Sequence, residues 1–144
     1  MKKLILLIFI PILIMLISAI GLAMNLKTTT EAVHKGNKEY EYYLGKEIYG
    51  TDVTSLMNKA INENEKNGVE KDEKGYYIDN NKDSIKIELK MITVEKTYTM
   101  EEINNHDMNQ FLKNFNLIKF KCTSIEYHRK TGKVSKMIFE QLEY

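Results

Sequence analysis

The sequence contains only one proline, one cysteine and one arginine in 144 residues. Cys122 cannot form an internal disulfide, so the folded part of the chain must be held together by packing. Pro11 is the only proline, so no later segment is interrupted by one. Arg129 is the only arginine, and lysine lacks the planar fork that binds phosphate or carboxylate through two hydrogen bonds. Specific anion recognition is therefore disfavoured.

The chain also lacks an excess of charge of one sign. It has 21 basic and 20 acidic residues, so without Lys2 and Lys3 there remain 19 basic residues and a net charge of −1. A nucleic-acid-binding domain needs a clearly basic face. We therefore expect no nucleic-acid partner.

Sequence motifs of catalysis are missing as well. There is no G-x-S-x-G, P-loop, dinucleotide fingerprint or H-E-x-x-H. His34, His106 and His128 do not pair with each other or with Cys122 at metal-ligand spacing. We expect His106 with Asp107 on a polar helix face, His128 solvated near a turn, and Cys122 in the core. The sequence thus predicts no enzymatic activity, no cofactor, and no catalytic, cofactor-binding or metal-binding residue.

One acidic segment has the spacing that begins an EF-hand calcium loop, at Asp79, Asn81 and Asp83. That loop requires Gly at its sixth position and Glu at its twelfth, where this chain has Ser84 and Lys90. A lysine at the position of the bidentate carboxylate is incompatible with calcium binding. We therefore interpret the segment as a polar hairpin turn.

A long apolar run follows the first three residues. Residues 4–24 are uncharged, and as a helix they span about 31 Å, close to the hydrocarbon thickness of about 30 Å. This predicts an uncleaved transmembrane helix in contact with membrane lipid, with residues 1–3 cytoplasmic by the positive-inside rule and residues 25–144 as an extracytoplasmic domain. Gly21 and Ala23 have small-x-small spacing, so a signal peptide cleaved after Ala23 is the alternative.

Two amphipathic helices are predicted beyond the apolar run, besides a weak helix over residues 30–44 that continues it. The first, from Thr51 or Asp52 as cap to Gly68, has an apolar stripe of Val53, Leu56, Met57, Ala60 and Ile61. The second spans residues 99–115, with a capping box at Thr99 and Glu102.

Alternating apolar residues predict strands in two hairpins. The strand of residues 85–91 is expected to pair with residues 75–79, and the strand from Ile118 with the last strand through the turn at residues 129–133. After Cys122 the apolar residues shift from one set of alternating positions to the other, which predicts a bulge near Thr123. The last strand has apolar residues at both sets of alternating positions, and so on both of its faces, as is typical of a central strand. The predicted fold is α+β, with helices packed on an antiparallel sheet of about four strands.

Two resemblances follow from these segments. The stretches "GTDVTSLMNKAINENEKNG", "SIKIELKM" and "FKCTSIEYH" resemble short membrane-anchored proteins of unknown function from AT-rich Gram-positive bacteria. An apolar N-terminal helix before a small sheet is similar to type IV pilins in architecture. However, the glycine–Phe processing site is missing, and no acidic residue precedes Glu31.

These observations lead us to expect a single-pass membrane protein whose external domain is a non-catalytic interaction or structural module with a protein partner in the envelope. Tyr40, Tyr42 and Tyr43 form either a contact surface or a packing cluster. The alternatives are a secreted domain, a pilin-like subunit of a surface or secretion assembly, and an envelope enzyme whose site is assembled from distant residues.

Overall fold

The structure, a computed structural model, describes residues 2–106 and 108–143, with side chains from Ile10 onward. The chain divides between Lys35 and Gly36 into two compact units. Helix α1 (Lys2–Glu41) forms all of the described first unit and begins the second. The predicted membrane segment and the predicted helix of residues 30–44 are thus one helix, which confirms that the second continues the first.

The apolar part of α1 leaves its side chains uncovered. Large apolar side chains between Ile10 and Leu26 are 50–74% exposed. Ser18, the one polar residue of the predicted span, donates its hydroxyl to the carbonyl of Ile14 at 2.9 Å. Among the described residues, one helix is long and apolar enough to cross a membrane, the part of α1 from Ile10 to Glu41.

The second unit contains the remaining eight elements. They are, in chain order, β1 (Glu47–Tyr49), α2 (Gly50–Lys66), β2 (Lys86–Met91), β3 (Lys96–Thr99), α3 (Met100–Asn105), α4 (Met108–Phe115), β4 (Lys119–Tyr127) and β5 (Val134–Gln141). The strands form one five-stranded sheet in the order β1-β4-β5-β2-β3. The expected α+β fold is confirmed, whereas the four antiparallel strands are corrected, because β2 pairs with β5 in parallel.

The predicted partner of β2 is wrong. Residues 76–79 form no strand of this sheet; Tyr77 makes only an isolated bridge to Lys71, next to a turn closed by Asp72. β2 instead forms a hairpin with β3, which the sequence analysis missed. β3 has only four residues, KTYT, which is too short to show an alternating pattern.

The second predicted hairpin is confirmed. β4 and β5 pair antiparallel, and the register shifts between Cys122 and Ser124, where the bulge was expected. The extra residue brings Ile125 opposite Met137, so the apolar side chains on both sides of the bulge share the inner face. β5 is the middle strand, as its apolar pattern predicted.

The core lies between the inner face of the sheet and the helices. α2 contributes the predicted stripe of Val53, Leu56, Met57, Ala60 and Ile61, all buried. It begins at Gly50 with Tyr49 as N-cap, so the predicted cap was two or three residues late. Asp52 still stabilises the start of the helix, since its carboxylate accepts the Tyr49 N–H at 3.3 Å. Gly68 has a φ of 64° just beyond the helix, which confirms its left-handed role.

The second predicted helix is divided into α3 and α4. Thr99 is the N-cap of α3, and the predicted capping box with Glu102 is present. α3 ends at Asn105, with His106 as its C-cap residue, and α4 begins at Met108. Asp107 lies outside the described residues.

The outer face of the sheet is covered by charged side chains that pair across strands. Lys90 lies 2.9 Å from Glu140, Lys136 lies 2.9 Å from Glu88, and Lys119 on β4 pairs with β1. Each such pair is worth only about 0–1 kcal/mol because water screens it. This face is therefore a solvated surface.

Candidate functional site

The most densely bonded polar region is formed by two loops at one end of the sheet. We call it the tip and define it as residues 79–84, which precede β2, and residues 128–133, which join β4 to β5. The Asn80 side-chain oxygen accepts N–H groups from Lys82, Asp83 and Ser84 at 2.9–3.1 Å. An amide side chain thus holds the loop in one conformation.

Asp79 stabilises the same loop from its other side. One carboxylate oxygen accepts the Asn81 N–H at 2.8 Å and the Ser84 hydroxyl at 3.0 Å. The backbone N–H of Asn81, the Ser84 hydroxyl and nearby cationic side chains lower the pKa of Asp79 below its usual value. The segment is a polar loop, as expected, but it does not join the two strands of a hairpin. The carboxylate of Asp79, the first residue of the calcium-like spacing, already accepts hydrogen bonds from within the protein.

His128 is buried, contrary to the solvated position predicted for it. The side chain is 2% exposed, and Nε2 lies 2.7 Å from the Ser84 carbonyl oxygen. Because a carbonyl only accepts, Nε2 carries the proton in this contact. Nδ1 lies 3.7 Å from the Asp79 carboxylate. A turn residue is usually exposed, and only the approach of the distant residues 79–84 covers this one.

Two further contacts connect the loops of the tip. The Thr131 hydroxyl donates to the Lys82 carbonyl at 2.6 Å, and Lys133 lies 3.8 Å from Asp83. Asn37 of α1 adds a third element, since its side chain donates to the Gly132 carbonyl at 2.7 Å and accepts the Val134 N–H at 3.0 Å. The two loops of the tip are therefore held to each other and to α1, so that three separate parts of the chain fix this surface.

Cys122 lies in the core, as the sequence predicted. Its side chain has no exposure, and burial raises the pKa of the thiol to about 11. The thiol therefore stays protonated and unreactive at neutral pH. His128 follows the end of β4, six residues after Cys122 or about 20 Å at the rise of a strand, so the two do not form a pair.

The other two histidines lie on exposed surfaces. His34 is exposed on α1, and His106 is exposed at the end of α3. Among the described residues, no group of three or more His, Cys, Asp or Glu side chains is arranged to hold a metal ion.

The three clustered tyrosines do not act as one surface. Tyr40 is 3% exposed and belongs to the core, Tyr43 is half-buried, and Tyr42 is 62% exposed. Lys46 places its ammonium 3.0 Å from the centre of the Tyr42 ring. Packing therefore explains Tyr40, and only Tyr42 with the edge of Tyr43 is available for contact.

Two open depressions lie elsewhere on the second unit. One of about 410 Å³ is bordered by Tyr42, Tyr43, Leu56 and Lys59, where Lys59 pairs with Glu39. The other, of about 210 Å³, lies beside Tyr98, His106 and Phe115.

Several structural polar residues were missed in the sequence. Asn64 is fully buried, and its side chain binds both the N–H and the carbonyl of Ile85 at 2.8 Å. Gln141 accepts from Ile92 and Thr93. The sequence signal for Asn64 is its place on the apolar stripe of α2, three residues after Ile61.

Comparison of the chain with protein-family models, with curated proteins and with solved structures found no match.

Proposed function

We propose that this chain is a single-pass membrane protein whose second unit is a non-catalytic interaction or structural module outside the membrane. Lys2 and Lys3 remain in the cytoplasm, the predicted span of residues 4–24 contacts lipid, and the module engages a protein partner in the envelope. The resemblance to short membrane-anchored proteins of Gram-positive bacteria belongs to this proposal.

The observation that carries the proposal is the uncovered apolar surface of α1. From Ile10 to Leu26 its large apolar side chains are at least 50% exposed. Removing apolar surface from water is favourable by about 25 cal/mol per Å², so this helix surface requires an apolar environment. A bilayer supplies one, and a helix satisfies its own backbone there.

The proposal that the module is non-catalytic is supported by the structural contacts that its potentially reactive side chains already make. Asp79 accepts backbone and hydroxyl donors, His128 binds a carbonyl, and the Cys122 thiol is held protonated by burial. Groups that bind, cleave or transfer a substrate must be available to it. These three are engaged in holding the module together.

Membrane extraction tests the anchor. The full chain expressed in bacteria should remain in the membrane pellet after alkaline carbonate washing. The double variant L13K/I17K should leave the pellet, because a lysine at the centre of a membrane helix costs about 2.5–3.5 kcal/mol. Variant L44K/I92K is the matched control, since it adds two charges at exposed apolar positions of the second unit and should stay in the pellet.

Intact mass and protease treatment test the remaining parts. A mass that includes Met1 or Lys2 supports the anchor, whereas a mature chain beginning after Ala23 in the medium would establish the secreted alternative. Protease added to intact protoplasts should degrade the second unit. Protection of that unit would contradict the proposed orientation.

A further inference from the structure

Positive charge is concentrated at the tip. Residues 36–144 contain 17 basic and 19 acidic residues, a net charge of −2. The tip carries four basic residues and two acidic ones, so its net charge is +2 and that of the rest of the unit is −4. The four basic residues are Lys82, Arg129, Lys130 and Lys133. A local charge opposite to that of its surroundings marks a surface suited to anionic partners.

The acidic groups of the tip are already engaged, whereas most of its cations are not. Asp83 pairs with Lys133, and Asp79 accepts hydrogen bonds from its own loop. The three other cations are exposed, and they form no ion pair with any side chain that the structure describes: Lys82, Arg129 and Lys130. Their charge is therefore available to a partner.

The backbone holds these exposed cations next to one another. Arg129 and Lys130 lie in a turn that is closed by two backbone hydrogen bonds of 2.8 Å between His128 and residues 132–133. A side-chain hydroxyl of the same turn donates to the Lys82 carbonyl at 2.6 Å, so the other loop is fixed beside it. Because both loops are ordered before a partner arrives, binding does not have to order the backbone.

The one arginine of the chain is part of this cluster. Arg129 is exposed, and its guanidinium can bind a carboxylate through two parallel hydrogen bonds, which a lysine cannot do. The tip can therefore orient one carboxylate through Arg129 and attract others through the charge of Lys82 and Lys130.

Exposed apolar side chains border the cations. Ile78 directly precedes Asp79, and Tyr127 directly precedes His128; they are 47% and 44% exposed. Asp79 and His128 themselves lie 3.7 Å apart, so both apolar residues belong to the same end of the unit. Tyrosine and arginine are enriched where proteins contact proteins. A polymer that carries only charged groups would leave this apolar surface in water, which favours a protein segment as the occupant.

We propose that the tip binds an acidic segment of a protein partner, a run of carboxylate side chains that also presents an apolar side chain. The inference rests on the proposed function, since it names the chemistry of the partner that the module engages. The carboxylates pair with the three exposed cations, and the apolar side chain covers part of Ile78 and Tyr127. Charge complementarity of this kind speeds association and selects against basic partners.

Peptide binding to the full chain in a nonionic detergent tests the proposal. The probe is the peptide EELEE with blocked ends and a neutral dye, followed by fluorescence anisotropy. It should bind at least ten-fold more tightly than QQLQQ, which has the same size without the charges, and more tightly than EEGEE, which lacks the apolar side chain. The affinity should fall as salt is added, because ions screen exposed charges. Equal binding of EELEE and QQLQQ would overturn the proposal.

Substitutions at the tip locate the binding site. Variant R129E/K130E should bind EELEE at least ten-fold more weakly, and R129Q/K130Q, which removes the two charges without adding acidic ones, should also lose affinity. Variant K74E/K113E makes the same charge change as R129E/K130E at exposed positions outside the tip and should bind as the parent does. The thermal unfolding midpoint of each variant verifies that the fold is retained. Parent-like binding by R129Q/K130Q would contradict the inference.

Two competitors distinguish the occupant. If inorganic phosphate displaces EELEE at equal concentration, the tip is a site for free anions. If polyphosphate of the same total charge binds more tightly than EELEE, the tip is a site for a phosphate polymer. Either result would overturn the proposed protein segment.

The measurements also separate this inference from the proposed function. Peptide binding in detergent does not depend on insertion into a bilayer. If the full chain binds EELEE but leaves the membrane pellet on carbonate washing, only the anchor is refuted. If the chain stays in the pellet and its tip binds neither acidic peptide, only the inference about the acidic segment is refuted.

Discussion

At the residue scale, buried amide side chains replace the hydrogen bonds that neighbouring strands would provide. Asn64 satisfies both backbone groups of Ile85 where the chain approaches β2, and Asn37 does the same with Gly132 and Val134 after the β4–β5 turn. A buried backbone group without a partner is costly. Each amide therefore fixes the distance between a helix and the sheet.

Asn64→Ala should lower the free energy of unfolding by about 2–4 kcal/mol, because two buried backbone groups lose their partners. Asn58→Ala on the exposed side of the same helix should change it by less than about 0.5 kcal/mol. Urea unfolding of both variants in detergent checks this. Equal effects of the two substitutions would contradict the structural role of Asn64.

Asp79→Asn tests the pH dependence of the tip. The folded pKa of Asp79 is lowered, so the ionised carboxylate contributes stability above its unfolded pKa of about 3.9, and this contribution is lost as the pH falls through the folded pKa. The variant should be less stable than the parent at neutral pH, and the gap should shrink below about pH 4. Glu73→Gln, the same change of carboxylate to amide at an exposed position, is the matched control.

At the element scale, the packing of α4 depends on a glycine at the start of α2. A Cβ built on Gly50 would lie 2.0 Å from the Phe115 carbonyl oxygen. The two backbones therefore approach too closely for any side chain. Gly50 therefore has a structural role in the packing of α4 against α2.

Gly50→Ala should be destabilising by about 2 kcal/mol or more, because backbone on both sides must move. Gly36→Ala is the control: a Cβ there meets nothing within 4 Å, and the residue lies inside α1, so alanine should stabilise by up to about 1 kcal/mol. Thermal unfolding measures both. A stable Gly50→Ala variant with α4 unchanged would contradict the close approach.

The capping box of α3 provides a second test at this scale. Thr99 accepts the Glu102 N–H at 3.2 Å, and Glu102 accepts the Thr99 N–H at 2.9 Å. Thr99→Ala should lower the free energy of unfolding by about 1 kcal/mol. Thr97→Ala, exposed on the same strand, should cost less, and urea midpoints of the two variants provide the comparison.

At the scale of the whole molecule, the core formed by the described side chains lies in the second unit. Its first member is Tyr40, and its remaining buried side chains follow along residues 53–139. About 109 residues are enough to bury a core without disulfides. We therefore expect the second unit to fold without the apolar part of α1.

A fragment of residues 36–144 should fold cooperatively and remain soluble without detergent. A fragment of residues 45–144 should be markedly less stable, because it lacks the Tyr40 ring in the core and the Asn37 bonds at the tip. Circular dichroism during thermal unfolding distinguishes them. An unfolded 36–144 fragment would show that the first unit is required for folding.

The sequence alone determined the features that depend on local pattern. The apolar length of residues 4–24, the stripe of α2, the capping box at Thr99, the bulge near Thr123 and the central position of β5 all follow from periodicity or from neighbouring residue types. Each of these is set by residues within one turn or one strand, so the amino acids themselves carry the signal.

Only the tertiary structure decided which distant segments meet. The parallel pairing of β2 with β5 and the burial of His128 under residues 79–84 join parts of the chain separated by tens of residues. The hairpin of β2 with β3 is local, but β3 is too short to show an alternating pattern. A strand pattern shows that a partner exists but not which one. The physical reason is that pairing is selected by the total burial of the core, to which all elements contribute at once.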